Sequence, residues 1–182
     1  MTGRLFWFTT ALLLGLAVHI AYILFVPRSQ MDAKMAAFTA LAGVNRLAVI
    51  EPAALTSVIP EADPWFAHAV CVFDLASGPV RIGAHIPDGY WLISLFAPNG
   101  DSFYSLNDRQ AGVRNLDLVV TDRQSGRADE ASLGAELAGG NAIVVRSPSR
   151  RGLALLRARV EMPALRARFT TDLAASTCGP AS

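Results

Sequence analysis

The sequence is poor in the features that usually announce a chemistry. Only 2 of its 182 residues are cysteine, which excludes a disulfide-dense mini-protein and a four-cysteine zinc site. Its 3 histidines match no recognised metal-ligand spacing. There is no Walker loop, dinucleotide fingerprint or nucleophile elbow, so no cofactor is implied and no catalytic residue is assigned. Charge is scarce too: 17% of residues are charged and the formal net charge is +1, too balanced for a general nucleic-acid binder, so no nucleic-acid partner is expected. No internal repeat is visible. Apolar side chains, by contrast, are plentiful, and at 52% hydrophobic the chain belongs with folded rather than disordered sequences. Its length suits one compact domain with one appendage. Lys34 is the single lysine among 16 basic residues, a compositional habit of the kind GC-rich bacterial genomes impose.

The appendage is at the start. Leu5 to Val26 carries no formal charge and is interrupted only by Thr9, Thr10, Gly15 and His19. As a helix it reaches roughly 33 Å, enough to cross a bilayer core. It reads as a transmembrane segment that places the chain in the lipid bilayer, with Trp7 and Tyr22 at interfacial depth and Pro27 and Arg28 expected to stop the helix. A cleaved signal peptide is the alternative. Against it stand the length of the run and the poor cleavage junction Val26-Pro27-Arg28. His19 reads as a neutral imidazole near the helix end, or as a group facing a partner helix. The amino terminus and Arg4 on one side nearly balance Arg28 and Lys34 on the other. The orientation adopted puts the short tail in the cytoplasm and the rest outside: a single-pass protein of a bacterial inner membrane with a periplasmic domain.

Three segments follow from this reading: an anchor at 1–28, a juxtamembrane helix and connector at 29–66, and a β-rich domain at 67–182. Over residues 29–49, Met31, Met35, Phe38, Ala42 and Arg46 recur at helical spacing, and their stripe is expected to pack against the domain rather than lie on lipid. Pro52, Pro60 and Pro64 predict an extended connector from Glu51 to Phe66. Short apolar runs separated by turn residues then predict strands at Ala69–Leu75, Val80–His85, Tyr90–Ala97 and Ser102–Asn107, read as a β-meander. Asn99-Gly100 predicts a type I′ hairpin turn. A two-residue loop sets Phe96 opposite Phe103, Leu95 opposite Tyr104, Ser94 opposite Ser105, Ile93 opposite Leu106 and Leu92 opposite Asn107. Trp91, Ile93, Leu95, Tyr104 and Leu106 should face the core. Leu92, Ser94, Phe96, Phe103, Ser105 and Asn107 form a mixed face able to line a groove.

Later strands are expected at Leu116–Thr121, Ala142–Arg146 and Gly152–Val160, making seven, with a short helix near Ala131–Leu137 and a closing helix after Pro163 that buries Leu165, Phe169 and Leu173. The fold class is therefore α+β, mostly β: an antiparallel β-sandwich-like domain with a C-terminal helix, preceded by one N-terminal transmembrane helix.

Candidate chemistry is sparse. A disulfide between Cys71 and Cys178 would tie the two ends of the domain together; the alternative is one buried and one exposed free thiol. His68 and His85 with Asp63, Asp74 or Asp88 offer metal-binding atoms without a metal-site pattern, so no metal is assigned. Ser94, Ser105, Asn107 and Arg109 leave the ends of paired strands with hydroxyl, amide and guanidinium groups that suit an anionic or carbonyl ligand. The plainer reading has Asn107 and Asp108 starting a turn and Arg109 paired with a carboxylate. Arg150, Arg151, Arg157, Arg159, Arg166 and Arg168, offset by Glu161, make a locally basic segment that reads as a solvated face, or as a surface for lipid headgroups or an acidic partner. The leading function is a binding or assembly module in the bacterial envelope. The alternative is a small-molecule hydrolase or other enzyme with its site at Ser94, Ser105, Asn107 and Arg109, with His85 as a base.

The run Phe73-Asp74-Leu75-Ala76-Ser77-Gly78-Pro79-Val80, the block Ile86-Pro87-Asp88-Gly89-Tyr90-Trp91 and the stretch Asn99 to Arg109 resemble the domain of unknown function 1254 family. Ile143-Val144-Val145-Arg146 and Arg151-Gly152 are similar to its later strand pair. The resemblance implies a β-sandwich-like domain in a bacterial envelope protein and no particular reaction. It also implies a partner: longer members carry a second β-domain for which this chain has no room, so a separate envelope protein carrying that companion domain is expected.

Overall fold

The computed structural model describes residues 2–112, 115–123 and 142–181; the short helix expected near Ala131–Leu137 lies outside them. The first helix, α1 (Thr2–Ala42), runs for 41 residues and passes through Pro27, so the stop expected there does not occur. Proline removes one helical hydrogen bond and crowds the preceding turn. The helix continues because the stripe beyond the proline has something to pack on: Met31, Met35, Phe38 and Ala42 are buried together with Val70, Val72, Leu153 and Leu155. Each of the larger side chains, Met, Phe, Val or Leu, stabilises the contact by about 1.5–3 kcal/mol. The helix changes character along its length. Leu5, Trp7 and Phe25 are 65%, 71% and 70% exposed, whereas Phe38 is fully buried.

The helix ends at Gly43, whose N–H donates to the Thr39 carbonyl at 2.9 Å. Residues 47–49, the end of the segment expected to be helical, belong to strand β1 (Leu47–Ile50). The connector expected to be extended contains helix α2 (Pro52–Val58), with Pro52 in its first turn, where a missing N–H costs nothing. Then come β2 (Phe66–Asp74), β3 (Val80–His85), β4 (Trp91–Phe96), β5 (Ser102–Asn107), the single turn α3 (Asp108–Ala111), β6 (Asn115–Asp122), β7 (Ile143–Ser147) and β8 (Arg151–Arg159). A 3-10 turn at Pro163–Leu165 leads into α4 (Arg166–Ala174), and β9 (Thr177–Pro180) ends the described chain.

The nine strands form two sheets, in the orders β1-β2-β8-β4-β5 and β7-β6-β3-β9. The fold is α+β and mostly β, as the alternation of apolar residues predicts. The meander, however, does not exist. The connection from β2 to β3 changes sheets, and so does the one from β3 to β4; β2 and β4 are instead joined through β8. Only β4 and β5 form a hairpin between sequence neighbours among the strands expected in the meander. Among the strands of the described residues every pairing is antiparallel except that of β6 with β7. One core lies between the sheets, built from Ala69, Cys71, Phe73, Ile93, Leu95 and Leu156 on one side and Ile82, Ala84, Leu118 and Val120 on the other, with Phe169 and Leu173 of α4 closing it. A second core lies on the outer face of the five-stranded sheet, under α1 and Leu55 of α2.

The β4–β5 register pairs Leu92 with Asn107, Ile93 with Leu106, Ser94 with Ser105 and Leu95 with Tyr104, as the spacing predicts. The turn that sets it is different. Gly100 N–H donates to the Ala97 carbonyl, closing a turn through Pro98 and Asn99, and Ala97 N–H donates to Asp101. Gly100 has φ 90°, while Asn99 stays out of the left-handed region, so the turn is not type I′. The extra length appears as a register shift after Leu95, which pairs Phe96 with Ser102. A bulge moves the next side chain to the opposite face, and Phe103 packs against the inter-sheet core rather than on the mixed face.

Candidate functional site

Alternation along each strand places two rows of side chains on the outer face of the five-stranded sheet. One row runs Ile50, His68, Arg157, Leu92, Asn107 across β1, β2, β8, β4 and β5. The next runs Ala48, Val70, Leu155, Ser94, Ser105. Helices α1 and α2 cover Ile50, Val70 and Leu155, and the polar residues continue the same face toward β5.

The sequence candidates meet here only in part. Ser94 and Ser105 face each other with their Oγ atoms 3.2 Å apart, and Ser105 Oγ also donates to the Ile93 carbonyl at 3.4 Å. Asn107 is committed to the start of α3: its Oδ1 accepts from Gln110 N–H at 3.1 Å, and its own N–H donates to Gln110 Oε1 at 3.3 Å. This reciprocal cap satisfies donors that a helix start leaves open, which is the local reason the chain turns at Asn107-Asp108. Arg109 projects from that turn and is exposed. His85 stands on β3 in the other sheet, its Nδ1 2.9 Å from Asn115 Oδ1. It is therefore not beside either serine.

Two residues on this face escaped the sequence reading as a pair. His68 is 6% exposed, with its ring 6.3 Å from that of Phe66. Burial, then the Arg157 charge, push its pKa down to about 4; Arg166 adds to this, and a hydrogen bond with the Phe66 backbone and the Asp63 carboxylate oppose it. The imidazole is thus held neutral. Arg157 Nε is buried without a hydrogen-bond partner among the described residues, as is Asp108 Oδ1 beyond the end of the same row. Alternation puts Arg157 on the face of Leu153 and Leu155. Sequence alone does not tell that β8 is central, and so does not bring it beside His68.

Cys71 and Cys178 are joined, with their Cα atoms 6.4 Å apart. The bond runs from β2 in one sheet to β9 in the other, through the inter-sheet core. Aspartates divide the basic segment: Arg150 lies 3.5 Å from Asp122, Arg151 3.5 Å from Asp74, and Arg168 3.9 Å from Asp172. Arg166 donates to the carbonyls of Phe66 and Pro64. The histidines and aspartates offered as metal ligands are dispersed, with His68 and His85 on different sheets and Asp74 paired with Arg151.

The profile of the protein of unknown function family DUF1254 matches residues 44–174. The chain belongs to the DUF1254 family. The match begins two residues after Ala42, the last of α1, and stops with α4, so the DUF1254 part takes in β1 to β8 and helices α2 to α4, without α1 or β9. A solved structure, the VPA0106 protein from Vibrio parahaemolyticus, is similar with a TM-score of 0.60 at 15% identity, over 88% of this chain and 37% of that one. An uncharacterised protein from Burkholderia cenocepacia gives a TM-score of 0.47 at 18% identity, over 69% of this chain and 36% of that one. The chain thus spans little more than a third of the length of either. The Vibrio likeness shows a shared fold. No curated protein matches the sequence.

Proposed function

We propose that this DUF1254 chain is a single-pass protein of the bacterial inner membrane whose sandwich is held on the periplasmic side as a binding or assembly module. The observation that carries the reading is the division of α1. Its apolar first half is open on every side, and its last three turns are buried against the sheet, so the helix would fix the domain directly at the membrane surface. One helix of this length and composition is what a bilayer crossing requires. The disulfide supports the outward orientation, because such bonds persist in oxidising compartments.

The binding surface in this reading is the β5 end of the outer face, where Ser105 and Arg109 are exposed and Asn107 half-buried, with buried Ser94 and half-buried Arg157 behind them. A separate envelope protein with a companion β-domain is the partner proposed. The greater length of the Vibrio structure supports it, since a longer chain can carry both parts together. The enzyme alternative has less to stand on: the serine hydroxyls are bonded to each other, Asn107 is used as a cap, and His85 belongs to the other sheet.

Alkaline carbonate extraction of membranes tests the anchor. The full chain should remain in the pellet, and a Leu13→Arg, Leu16→Arg variant should move to the supernatant. Release of the unaltered chain would refute the spanning reading.

A further inference from the structure

The end of the sandwich nearest Pro27 holds a cleft that the binding face does not use. The tip of the β4–β5 hairpin abuts α1 where the apolar run ends: a Cβ placed on Gly100 would lie 3.8 Å from the Pro27 carbonyl and 4.0 Å from Met31 Cβ. Beside this contact is a cleft of about 480 Å³ whose polar lining includes Arg28, Asp32, Asn99, Asp101 and Arg123. At about 1.5 Å per residue, Arg28 and Asp32 stand roughly 3 and 9 Å beyond Val26 along the helix. The headgroup zone of one leaflet is about 5–8 Å thick. Arg28 therefore stands at headgroup depth and Asp32 at the outer edge of that zone if α1 crosses the bilayer, and this inference rests on that reading.

Its charges select the ligand. Two guanidinium groups and two carboxylates line one opening and sum to zero. Nearby Arg150 and Arg151 are paired with Asp122 and Asp74, whereas Arg28 and Asp32 make no ion pair among the described residues. Guanidinium groups grip phosphate oxygens through paired N–H donors, and carboxylates accept from a primary ammonium. A lipid carrying a phosphodiester and a primary amine presents both charges a few bonds apart. An anionic headgroup lacking the amine would face Asp32 and Asp101 uncompensated, and a quaternary ammonium has no N–H to donate. We propose that this cleft is a binding site for the headgroup of a bilayer lipid of the phosphatidylethanolamine type, with its phosphate on Arg28 and Arg123 and its ammonium on Asp32 and Asp101.

The test uses the full chain, delipidated in a neutral detergent and titrated with short-chain phosphatidylethanolamine, phosphatidylcholine, phosphatidylglycerol and water-soluble glycerophosphoethanolamine. Binding is read by native mass spectrometry. Phosphatidylethanolamine should bind about tenfold more tightly than either other lipid, and Arg28→Gln or Arg123→Gln should each remove about that factor. An Asp32→Asn, Asp101→Asn variant should turn the preference toward phosphatidylglycerol. Both arginines are exposed, so the variants should keep the wild-type fluorescence of buried Trp91. Equal binding of the three lipids, or variants that bind as the wild type does, would overturn the proposal. Glycerophosphoethanolamine binding as tightly as the lipid would overturn its lipid source. Carbonate extraction of the same chain separates the two readings: a chain that stays in the membrane but shows no headgroup preference defeats the cleft alone, and a chain that is released defeats the membrane crossing.

Discussion

Gly152 is the position where the smallest change should do the most damage. It follows Arg151, the first residue of β8, the strand that joins β2 to β4 at the centre of the larger sheet, and it pairs with Phe73. A Cβ added there would fall on Cζ of the Phe73 ring and come within 2.6 Å of the Phe96 carbonyl oxygen. Phe73 is fully buried and cannot swing into solvent, and the second obstacle is backbone in the neighbouring strand. Overpacking of this kind costs about 1–3 kcal/mol, and the backbone obstacle points to the upper end. The gain from replacing glycine in a strand is smaller, roughly 0.5–1 kcal/mol. Gly152→Ala should therefore destabilise the sandwich by about 2 kcal/mol net. The assay is denaturant unfolding of the full chain followed by the fluorescence of Trp91, which is buried in the same core. A double variant sharpens it. Phe73→Ala alone should cost about 3–5 kcal/mol, and Gly152→Ala added to it should cost less than it does in the wild type, because the ring it collides with is gone and the Phe96 carbonyl is the obstacle that remains. Gly152→Ala at wild-type stability, or strict additivity of the two substitutions, would refute the reasoning.

Reduction of the Cys71–Cys178 bond, which closes a loop spanning 107 positions, should lower stability by up to about 4.7 kcal/mol on the chain-entropy account; reductant should shift the unfolding midpoint of the wild type and leave that of Cys178→Ser unmoved. His68 supplies an acid sensitivity. Its folded pKa of about 4 lies below the ordinary 6.5, so the unfolded chain takes up the proton more readily, and the stability present above pH 6.5 is lost as pH falls from there through 4. His68→Asn should flatten that part of a stability-against-pH curve, and an unchanged slope would contradict the buried neutral imidazole. Phe38→Ala, which removes the most buried side chain of α1, should cost about 3–5 kcal/mol and speed proteolysis between residues 28 and 46 at least as much as it weakens the sandwich.

Much of the β structure was legible because alternation is a local signal. Val80–His85 and Ser102–Asn107 have the bounds their residue patterns predict. The β4–β5 register was legible through the wrong turn: the turn through Pro98 and Asn99 is closed earlier than expected, and the register shift after Leu95 restores Ser94 opposite Ser105. Sheet membership was not legible. The pairing of β2 with β8 joins residues about 80 positions apart, and nothing near Phe73 names Gly152 as its neighbour. The continuation of α1 through Pro27 was hidden for a similar reason: local proline chemistry argues for a stop, and the burial of Met31 and Phe38 that overrides it comes from strands far along the chain. Four-residue strands such as β1 and β9 are too short to show a period. The candidate site divided along the same line. Ser94 and Ser105 were visible as hairpin partners, whereas Arg157 beside His68 required the sheet order, and the cap made by Asn107 was visible only as a turn signal.

The most direct test of the account is the state of the two thiols in intact membranes. Membranes containing the full chain are treated with alkylating reagent to block free thiols, reduced where required, and reacted with a large maleimide polymer whose attachment retards the protein on a gel. An anchored chain with its sandwich outside the cytoplasm predicts carbonate-resistant protein that gains no polymer before reduction and two afterwards. Carbonate-resistant protein that takes up two polymers when neither blocked nor reduced would place the sandwich in a reducing compartment and contradict the central claim.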